Sequence, residues 1–247
     1  MKIFSLYNFK GGVGKTTNTV NLAHLSALEG TRTVIWDLDP QGGTSFFLCV
    51  KPKIKGGAKA ILKGRLDLDG HLRTTGYSNL DLLPADISYR HLDQYLHDKK
   101  DPVKAFARIL KSLAHDYDHI FLDCPPGLSL LAENVFRVSH VLVVPLIPST
   151  LSLRAYNRLV QFLANRRTKK LRVAPFFNQV NLEKPIHQVV TRNVLEQHPI
   201  FLRTTIPDSN VIESMGVKRA PVLAYARSSP EADAFRALWR EIQERKL

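Results

Sequence analysis

A glycine-rich segment near the start of the chain has the residue types and spacing to bind phosphate. Residues 8–17 read N-F-K-G-G-V-G-K-T-T, between an apolar segment that predicts a strand and a segment that predicts a helix. Such a turn aims successive backbone N–H groups into a concave nest at the positive end of a helix dipole. Lys15 would reach the β- and γ-phosphates of a nucleotide, and the Thr16 hydroxyl would ligate Mg²⁺. The predicted nucleotide-binding residues here are Gly11, Gly12, Val13, Gly14, Lys15, Thr16 and Thr17.

The loop departs from the common pattern G-x-x-x-x-G-K-[ST] in an informative way. Phe9 occupies the position of the first glycine, and a second lysine, Lys10, follows it. One lysine suffices for a bound triphosphate, so Lys10 needs another role. The alternative is an incidental surface cation.

Three aspartates follow apolar runs that predict strands. Asp37 ends the run V-I-W-D, and Asp39 lies just beyond it, on the same side because side chains alternate along a strand. Asp123 ends a second apolar run and matches the Walker-B arrangement, in which a carboxylate supports Mg²⁺ near the loop threonine. The alternatives are an N-cap or turn carboxylate for Asp123 and an ordinary Asp-Pro turn for Asp39.

Short β-branched runs alternate with helical patterns along the whole chain. This order predicts an α/β fold, with a mostly parallel, twisted sheet covered by helices on both faces and ligands at the carboxyl ends of the strands. We predict one domain over residues 1–247 rather than two smaller ones, with a surface excursion at Lys51–Gly76. The predicted strands are Lys2–Tyr7, Thr33–Asp37, Leu80–Leu83, His119–Leu122, Val141–Pro145 and Leu171–Phe177. The predicted helices are Thr16–Glu29, Val103–Ala114, Leu130–Val138, Leu151–Asn165, Ile186–Gln197 and Glu231–Glu244.

Composition limits the class of protein and of partner. The formal net charge of +13 and the pI near 9.9 point to an acidic partner, either nucleic acid or an anionic membrane. Cys49 and Cys124 lie far apart, which argues against a disulfide scaffold and against a zinc or iron–sulfur site within one chain. No signal-peptide pattern and no apolar run of about 20 residues is present, so we expect a cytoplasmic protein without stable membrane insertion.

Three motifs together resemble those of the deviant-Walker partition ATPases, the ParA/Soj group within the ParA/MinD superfamily. They are the lysine-bearing loop Lys10–Thr17, the segment D-L-D-P-Q-G at residues 37–42 and D-C-P-P at residues 123–126. Further similar segments are Leu82–Ala85, Pro148–Leu153, Asn178, Ile206–Pro207, Gly216 and Pro221–Ala232, so the resemblance covers nearly the whole chain. It implies a P-loop NTPase fold, ATP and Mg²⁺ as cofactors, and slow, partner-stimulated hydrolysis of ATP to ADP and phosphate.

The resemblance also implies the catalytic residues. Lys10 resembles the signature lysine, which reaches the partner subunit's nucleotide across a dimer interface, and Lys15 resembles the lysine that binds phosphate within its own chain. Asp39 lies where the family carries the carboxylate that positions or activates the attacking water. Because charge stabilisation dominates phosphoryl transfer, a lysine from a second subunit would leave each site incomplete until two ATP-loaded chains meet. The implied assembly is an ATP-dependent homodimer.

The remaining site residues follow from the same resemblance. Thr16, Asp37 and Asp123 lie where the family binds or supports magnesium. Asn178 resembles the asparagine that reads the adenine edge, and Pro207 the residue that packs on the adenine ring.

A long segment without carboxylates, between Glu133 and Glu183, carries much of the positive charge. Contacts from such a segment to phosphates would be independent of base sequence and sensitive to salt, which fits the family's binding of nonspecific DNA by the ATP dimer. A solvated basic face without a partner is the alternative. Asp208 and Val211 stand where relatives often carry basic residues. The candidate DNA-binding residues are Arg154, Arg158, Arg166, Arg167, Lys169, Lys170, Lys218 and Arg219.

The implied function is segregation or positioning of plasmid, chromosome or protein cargo on the nucleoid, with a ParB-like or cargo-adaptor protein that stimulates hydrolysis. Two alternatives stay open. A MinD-like, membrane-associated ATPase would use the C-terminal helix as an amphipathic anchor, although we expect Trp239 in that helix to pack on the core. A metabolic ATP-dependent enzyme could share the fold, but the sequence has no motif for a second substrate.

Overall fold

A seven-stranded sheet forms the centre of the protein, in a computed structural model that describes residues 1–62, 68–166 and 171–245. The strands are β1 (Lys2–Leu6), β2 (Thr33–Asp37), β3 (Arg73–Thr74), β4 (Leu80–Leu83), β5 (His119–Asp123), β6 (Val141–Leu146) and β7 (Arg172–Phe177). Their order is β3-β4-β2-β5-β1-β6-β7, and all neighbours are parallel except β3 and β4. The predicted α/β class with a mostly parallel sheet is confirmed. The sequence pattern missed only the two-residue β3 among the described strands.

Helices flank the sheet, and the longer ones are those that periodicity predicts. They are α1 (Lys15–Leu28), α2 (Gly43–Phe47), α3 (Gly57–Leu62), α4 (Leu92–His97), α5 (Pro102–Leu113), α6 (Leu130–Val138), α7 (Thr150–Ala164), α8 (Pro185–Gln197), α9 (Asn210–Glu213), α10 (Met215–Lys218), α11 (Val222–Tyr225) and α12 (Pro230–Glu244). Short 3₁₀ turns occur at Leu68–Gly70 and Ile87–His91. Helices α5, α6, α7 and α12 begin at a side chain that accepts a backbone N–H: Asp101, Ser129, Ser149 and Ser229, respectively.

Alternation along the strands builds a core on each face of the sheet. In β2, Val34 and Trp36 belong to one hydrophobic cluster and Ile35 belongs to the other. The first cluster includes buried residues of α4 to α8, and the second includes those of α1 and α12. Burial on both sides explains why these strands are apolar throughout rather than alternating with polar residues.

The described part of the segment at residues 51–76 corrects our prediction of a surface excursion. Ile54, Ala58 and Ile61 are buried in the core, and the Ile54 N–H donates to the Asp86 carboxylate at 2.8 Å. The segment is rich in Lys and Gly, which hid these few apolar anchors. Residues 63–67 lie outside the described residues.

Strand register assembles the predicted site. β5 lies between β1 and β2, so three motif-bearing strands are neighbours. Asp37 pairs in register with Asp123, and Leu6, the last residue of β1, pairs with Asp123 on the other side. The loop and both carboxylates therefore meet at the carboxyl edge of the sheet.

Candidate functional site

The phosphate-binding loop leaves β1 and enters α1 in a shape that the chain itself fixes. Gly12 and Gly14 have φ angles of 72° and 85°, which only glycine adopts readily. Asn8 anchors the start of the loop, because its amide donates to the Pro145 carbonyl (2.8 Å) and its side-chain oxygen accepts the Lys10 N–H (3.0 Å). Since Gly14 is the N-cap of α1 and has no side chain, the helix terminus is left open to an anion.

The end of β7 holds the other side of the loop. The Asn178 amide donates to the Val13 carbonyl at 2.8 Å, and the Gln179 amide donates to the Gly12 carbonyl at 3.1 Å. A Cβ atom at Gly14 would lie 2.2 Å from the Asn178 amide nitrogen. This close approach makes Gly14 the most constrained glycine of the loop.

The two residues predicted to contact adenine lie at the same end of β7. Asn178 is 3% exposed and is held under the loop by its bond to Val13. Pro207 is half-buried and forms a parallel bridge with Val180. The structure thus brings Asn178 against the loop and Pro207 to the same end of β7, and their roles toward adenine stay predictions.

Lys15 is folded inside the loop. Its side-chain nitrogen donates to the Lys10 carbonyl at 3.2 Å. Burial lowers the pKa of Lys15, and attraction to Asp123 offsets part of that effect. A bound phosphate would supply the missing negative charge, which is the setting that a buried ammonium group needs.

Asp123 is buried among hydroxyl groups from two helices. The Thr44 hydroxyl of α2 donates to one carboxylate oxygen at 2.8 Å, and the Thr19 hydroxyl of α1 donates to the other at 3.3 Å. Thr16 also hydrogen-bonds to this carboxylate. Asp123 and the loop threonine therefore lie together in the structure, and their roles toward Mg²⁺ stay predictions.

Asp37 is hydrogen-bonded to Ser45, which follows Thr44 in α2. Both the backbone N–H and the hydroxyl of Ser45 donate to one oxygen of Asp37, each at 2.8 Å. That hydroxyl in turn accepts the Ala85 N–H at 3.0 Å, so its direction is fixed. The other oxygen, Oδ1, is buried and has no hydrogen-bond partner among the described residues.

The carboxylate pair suits a divalent cation. Burial raises the pKa of Asp37 and of Asp123, and the charge of Asp123 raises that of Asp37 further. The orphaned Oδ1 of Asp37 and the Thr16 hydroxyl are oxygen ligands of the kind that Mg²⁺ prefers. The described residues contain no cluster of three or more His, Cys, Asp or Glu that could hold a metal alone. The remaining ligands would be phosphate oxygens and water.

Asp39 lies farther out than Asp37 and is only partly buried. Its carboxylate accepts the Gln41 N–H at 2.9 Å, and its carbonyl accepts the Gly42 N–H at 2.9 Å. These bonds close a turn that leads into α2, so Asp39 sits at the rim of the site. That position suits a group acting on the outer phosphate, and its role stays a prediction.

Comparison with known proteins gives the family. A family model described as an AAA domain matches residues 1–173 of this chain. The chain is also 30% identical, over 250 residues, to the chromosome-partitioning ATPase Soj of Treponema pallidum (strain Nichols), and the match covers 99% of this chain and 98% of that protein. This chain belongs to the ParA/MinD superfamily of P-loop ATPases.

Solved structures of this fold come from different branches. Cobyrinic acid a,c-diamide synthase from Mycobacterium smegmatis, with bound ATP analog and magnesium, matches with a TM-score of 0.84 at 25% identity, over 98% of this chain and 94% of that chain. The cell division ATPase MinD of Pyrococcus furiosus matches with a TM-score of 0.79 at 24% identity, over 98% of both chains. A ParA/MinD fold alone therefore does not choose between a positioning ATPase and a metabolic enzyme.

Two of the predicted DNA-binding residues of this ParA/MinD-type chain lie beside the loop. Arg154 and Arg158, one turn apart on α7, line a groove of about 610 Å³ together with Phe9 and Lys10. No sequence pattern indicates that these arginines share a surface with Lys10, because more than 140 residues separate them along the chain.

The other described residues of the predicted DNA-binding set lie elsewhere and have different contacts. Arg166 pairs with Glu133 at 3.1 Å. The Arg219 side chain donates to the Phe46 carbonyl of α2 at 3.0 Å, whereas Lys218 is exposed. DNA binding stays a prediction for the whole set. Three of its members lie outside the described residues: Arg167, Lys169 and Lys170.

Sequence reasoning missed four polar residues that build the site: Asn8, Thr19, Thr44 and Ser45. A usable signal exists for two of them. Thr44 and Ser45 follow a Gly-Gly pair directly after D-L-D-P-Q, a position typical of the first turn of a helix. Thr19 gives no such signal, since it points to Asp123 only because α1 packs across β5.

Helix α12 tests the membrane alternative. Its residues Phe235, Leu238, Trp239 and Ile242 are buried in the core, and Trp239 is 1% exposed, as predicted. In the described portion of the chain, we found no helix with the length and apolar character required to cross a bilayer.

Proposed function

We propose that this chain is a ParA-type ATPase, which dimerises with ATP, binds nonspecific DNA in that state, and segregates or positions plasmid, chromosome or protein cargo. One observation carries the proposal: the two lysines of the loop face different ways. Lys15 is buried and bonds within the loop, whereas the Lys10 side chain lines the open groove beside it. A cation there is available to a second chain.

Each polar group then has a task in ATP hydrolysis. Mg²⁺-ATP supplies the reacting phosphate and most of the charge that must be balanced. Lys15 binds the phosphates, while Thr44 and Ser45 orient Asp123 and Asp37 toward the metal position. Asp39, at the rim, orients the attacking water, and the partner's lysine completes the charge stabilisation.

Substituting Lys10 tests the dimer. We expect Lys10→Gln to bind ATP but to stay monomeric in light scattering with Mg²⁺-ATP, while the wild-type chain dimerises. Lys111→Gln, a neutralised exposed lysine of α5, is the matched control and should dimerise normally. ATP-dependent dimers of Lys10→Gln at wild-type strength would refute the proposal.

Substituting Asp39 tests the chemical step. Asp39→Ala should form the ATP dimer and hold it, because the substitution leaves the loop and the carboxylate pair intact. Single-turnover hydrolysis measured on the isolated dimer should fall about a hundredfold or more, since a positioned acid–base group contributes on that order. A wild-type rate would exclude Asp39 as the water-positioning group.

Co-sedimentation shows whether the ATP-bound chain binds DNA or a membrane. The apolar face of α12 is buried, which favours DNA over a membrane. We expect the ATP-bound chain to pellet with DNA and not with anionic vesicles, and to locate on the nucleoid. A ParB-like or cargo-adaptor protein is expected to raise the ATPase rate of the DNA-bound form.

A metabolic synthase is the second candidate, because the M. smegmatis synthase matches at a TM-score of 0.84 and 25% identity. Turnover of ATP that requires a small carboxylate substrate, with no effect of DNA, would favour it. Turnover raised by DNA and a protein partner alone would exclude it.

A further inference from the structure

A cavity of about 850 Å³ lies between the carboxyl end of α1 and helix α12. We call it the α1–α12 cavity, and its lining includes Leu28, Tyr77, Leu223, Arg227 and Arg240. It is distant from the phosphate-binding loop, because α1 runs 14 residues from Lys15, about 20 Å of helix. No step of ATP hydrolysis proposed above uses it. Its volume is in the range of small-molecule sites.

The wall formed by α1 and α11 is apolar. Leu25 and Leu223 are buried, and Leu28 is 59% exposed although it lies beside them. The ring of Tyr77 lies edge-on to the His24 imidazole, with 4.7 Å between the ring centres. A ligand in this cavity would therefore cover apolar and aromatic surface that solvent now contacts.

The His24 side chain adds a polar group to this wall. It is 4% exposed, and its Nδ1 atom has no hydrogen-bond partner among the described residues. Burial lowers the pKa of His24 to about 4, so the ring is neutral at physiological pH. Buried polar atoms are usually paired, and an unpaired one beside a cavity indicates a missing partner.

The lining also carries guanidinium groups. Arg236 is held in place by Asp233 at 2.6 Å and by the Arg227 carbonyl at 2.8 Å. The side chains of Arg227 and Arg240 have no hydrogen-bond or ion-pair partner within the part of the chain that the structure describes. These two groups are free to bind an anion.

The charges of the lining nearly balance. Three arginines and two glutamates line the cavity, and Asp233 neutralises one of the arginines, Arg236. One of the glutamates, Glu29, is already engaged, since it accepts hydrogen bonds from Trp239 and Gln243 at 3.0 Å each. The guanidinium groups of Arg227 and Arg240, unpaired among the described residues, suit a ligand with one acid group, whereas a DNA surface needs a row of uncompensated cations.

We propose that the α1–α12 cavity binds an amphipathic monoanion, that is, a small molecule with a flat or branched apolar body and one carboxylate or sulfonate group. The body would lie on the Leu25, Leu28 and Tyr77 side. A polar substituent on it would pair there with the His24 Nδ1 atom. The acid group would lie between Arg227 and Arg240, whose guanidinium groups suit an oxyanion. The proposal does not depend on the ATPase function.

The dye 8-anilinonaphthalene-1-sulfonate is a suitable probe, because it combines fused rings with one sulfonate. The chain has two tryptophans, so a ¹⁵N-labelled sample gives two indole N–H signals. Trp239 lines the cavity, whereas Trp36 is buried in the other core and donates to Tyr89. We expect the dye to shift the Trp239 signal saturably and to leave the Trp36 signal in place. A dye that binds without moving Trp239 overturns the proposal.

Two variants test whether the dye binds in the cavity, one by removing charge and the other by filling space. Arg227→Gln with Arg240→Gln removes the free guanidinium groups and should weaken binding at least about tenfold, as expected for lost charge-assisted contacts. Ala224→Phe, on the α11 side of the lining, fills the cavity without changing charge and should weaken binding as well. If only the charge variant had an effect, long-range attraction rather than the cavity would explain binding, and the proposal would fail.

The groove beside the loop provides the matched control. It also combines apolar residues with two arginines, so Arg154→Gln with Arg158→Gln removes the same charge at the competing site. Loss of dye binding in this control and not in the first pair would overturn the proposal. The proposal would also be overturned if duplex DNA displaced the dye and shifted the Trp239 signal as much as the dye does. The cavity would then bind a phosphate backbone.

Discussion

The carboxyl edge of the sheet and the basic surface of this protein hold their charged groups in different ways. At the sheet edge, strand register sets Asp37 opposite Asp123, and hydroxyl groups of α1 and α2 fix both carboxylates. On the basic surface, by which we mean the described residues of the predicted DNA-binding set, Arg166 pairs with Glu133 and Arg219 contacts Phe46 separately. A substitution at the edge should therefore disturb the whole site, whereas one on the surface should act locally.

The largest effect is expected at Gly14. A side chain there would meet Asn178 at 2.2 Å and would require a φ of 85°. We expect Gly14→Ala to lose ATP binding and to lower the free energy of unfolding by about 1–3 kcal/mol or more. Calorimetric titration with ATP and denaturant unfolding measure the two effects.

Gly11→Ala is the control for that substitution. A Cβ atom at Gly11 meets nothing within 4 Å, and Gly11 does not have a positive φ. The Gly11→Ala variant should therefore keep the wild-type free energy of unfolding. Equal losses in both variants would mean that the contact between Gly14 and Asn178 does not set the loop.

The carboxylate pair should make the Mg²⁺-free protein less stable as the pH rises. Because the pKa of Asp37 is raised in the folded state, the folded chain keeps a proton that the unfolded chain releases above about pH 4. Stability then falls with rising pH until Asp37 ionises in the folded state. We expect Asp37→Asn to remove most of this slope and to raise stability at alkaline pH by on the order of 2 kcal/mol. Urea unfolding with a chelator, across pH, measures it.

The same variant should bind Mg²⁺-ATP more weakly, since it removes a metal ligand. Asp98→Asn, which changes an exposed carboxyl group directly after α4, is the control and should change neither property. An unchanged pH slope in Asp37→Asn would show that the burial of this carboxyl group has no energetic consequence.

The sequence alone predicts the parts of this molecule that have a local pattern, and it does not predict those that depend on packing. A glycine-rich loop and apolar runs that end in aspartate are local patterns, so Asp37, Asp123 and Lys15 could be placed at the carboxyl ends of strands beforehand, whereas the strand order and register could not. Thr19 reaches Asp123 only through the packing of α1 on β5, and Arg154 meets Lys10 only through the position of α7. Contacts of this kind depend on three-dimensional packing and leave no local pattern.

An intermediate effect is expected at Arg219. Its side chain donates to the Phe46 carbonyl and lies 4.7 Å over the Phe46 ring, which ties the loop after α10 to the helix that carries Thr44 and Ser45. Arg219→Gln should cost about 1 kcal/mol of stability and lower the ATPase rate. The neighbouring Lys218→Gln should do neither, because Lys218 is exposed without a partner among the described residues. If both variants weaken DNA binding alone, Arg219 belongs to the DNA surface and does not support α2.

The smallest effect is expected at Arg166. Its pairing with Glu133 is partly exposed to solvent, so Arg166→Gln should change stability by less than about 1 kcal/mol. The pairing competes with any phosphate contact. Glu133→Gln should therefore free Arg166 and strengthen DNA binding by the ATP-bound chain, and it should steepen the dependence of the logarithm of affinity on the logarithm of salt concentration by about one unit. In the double variant, Arg166→Gln should cancel that gain. A gain that persists without Arg166 would mean that Glu133 acts by long-range repulsion of DNA rather than by holding this arginine.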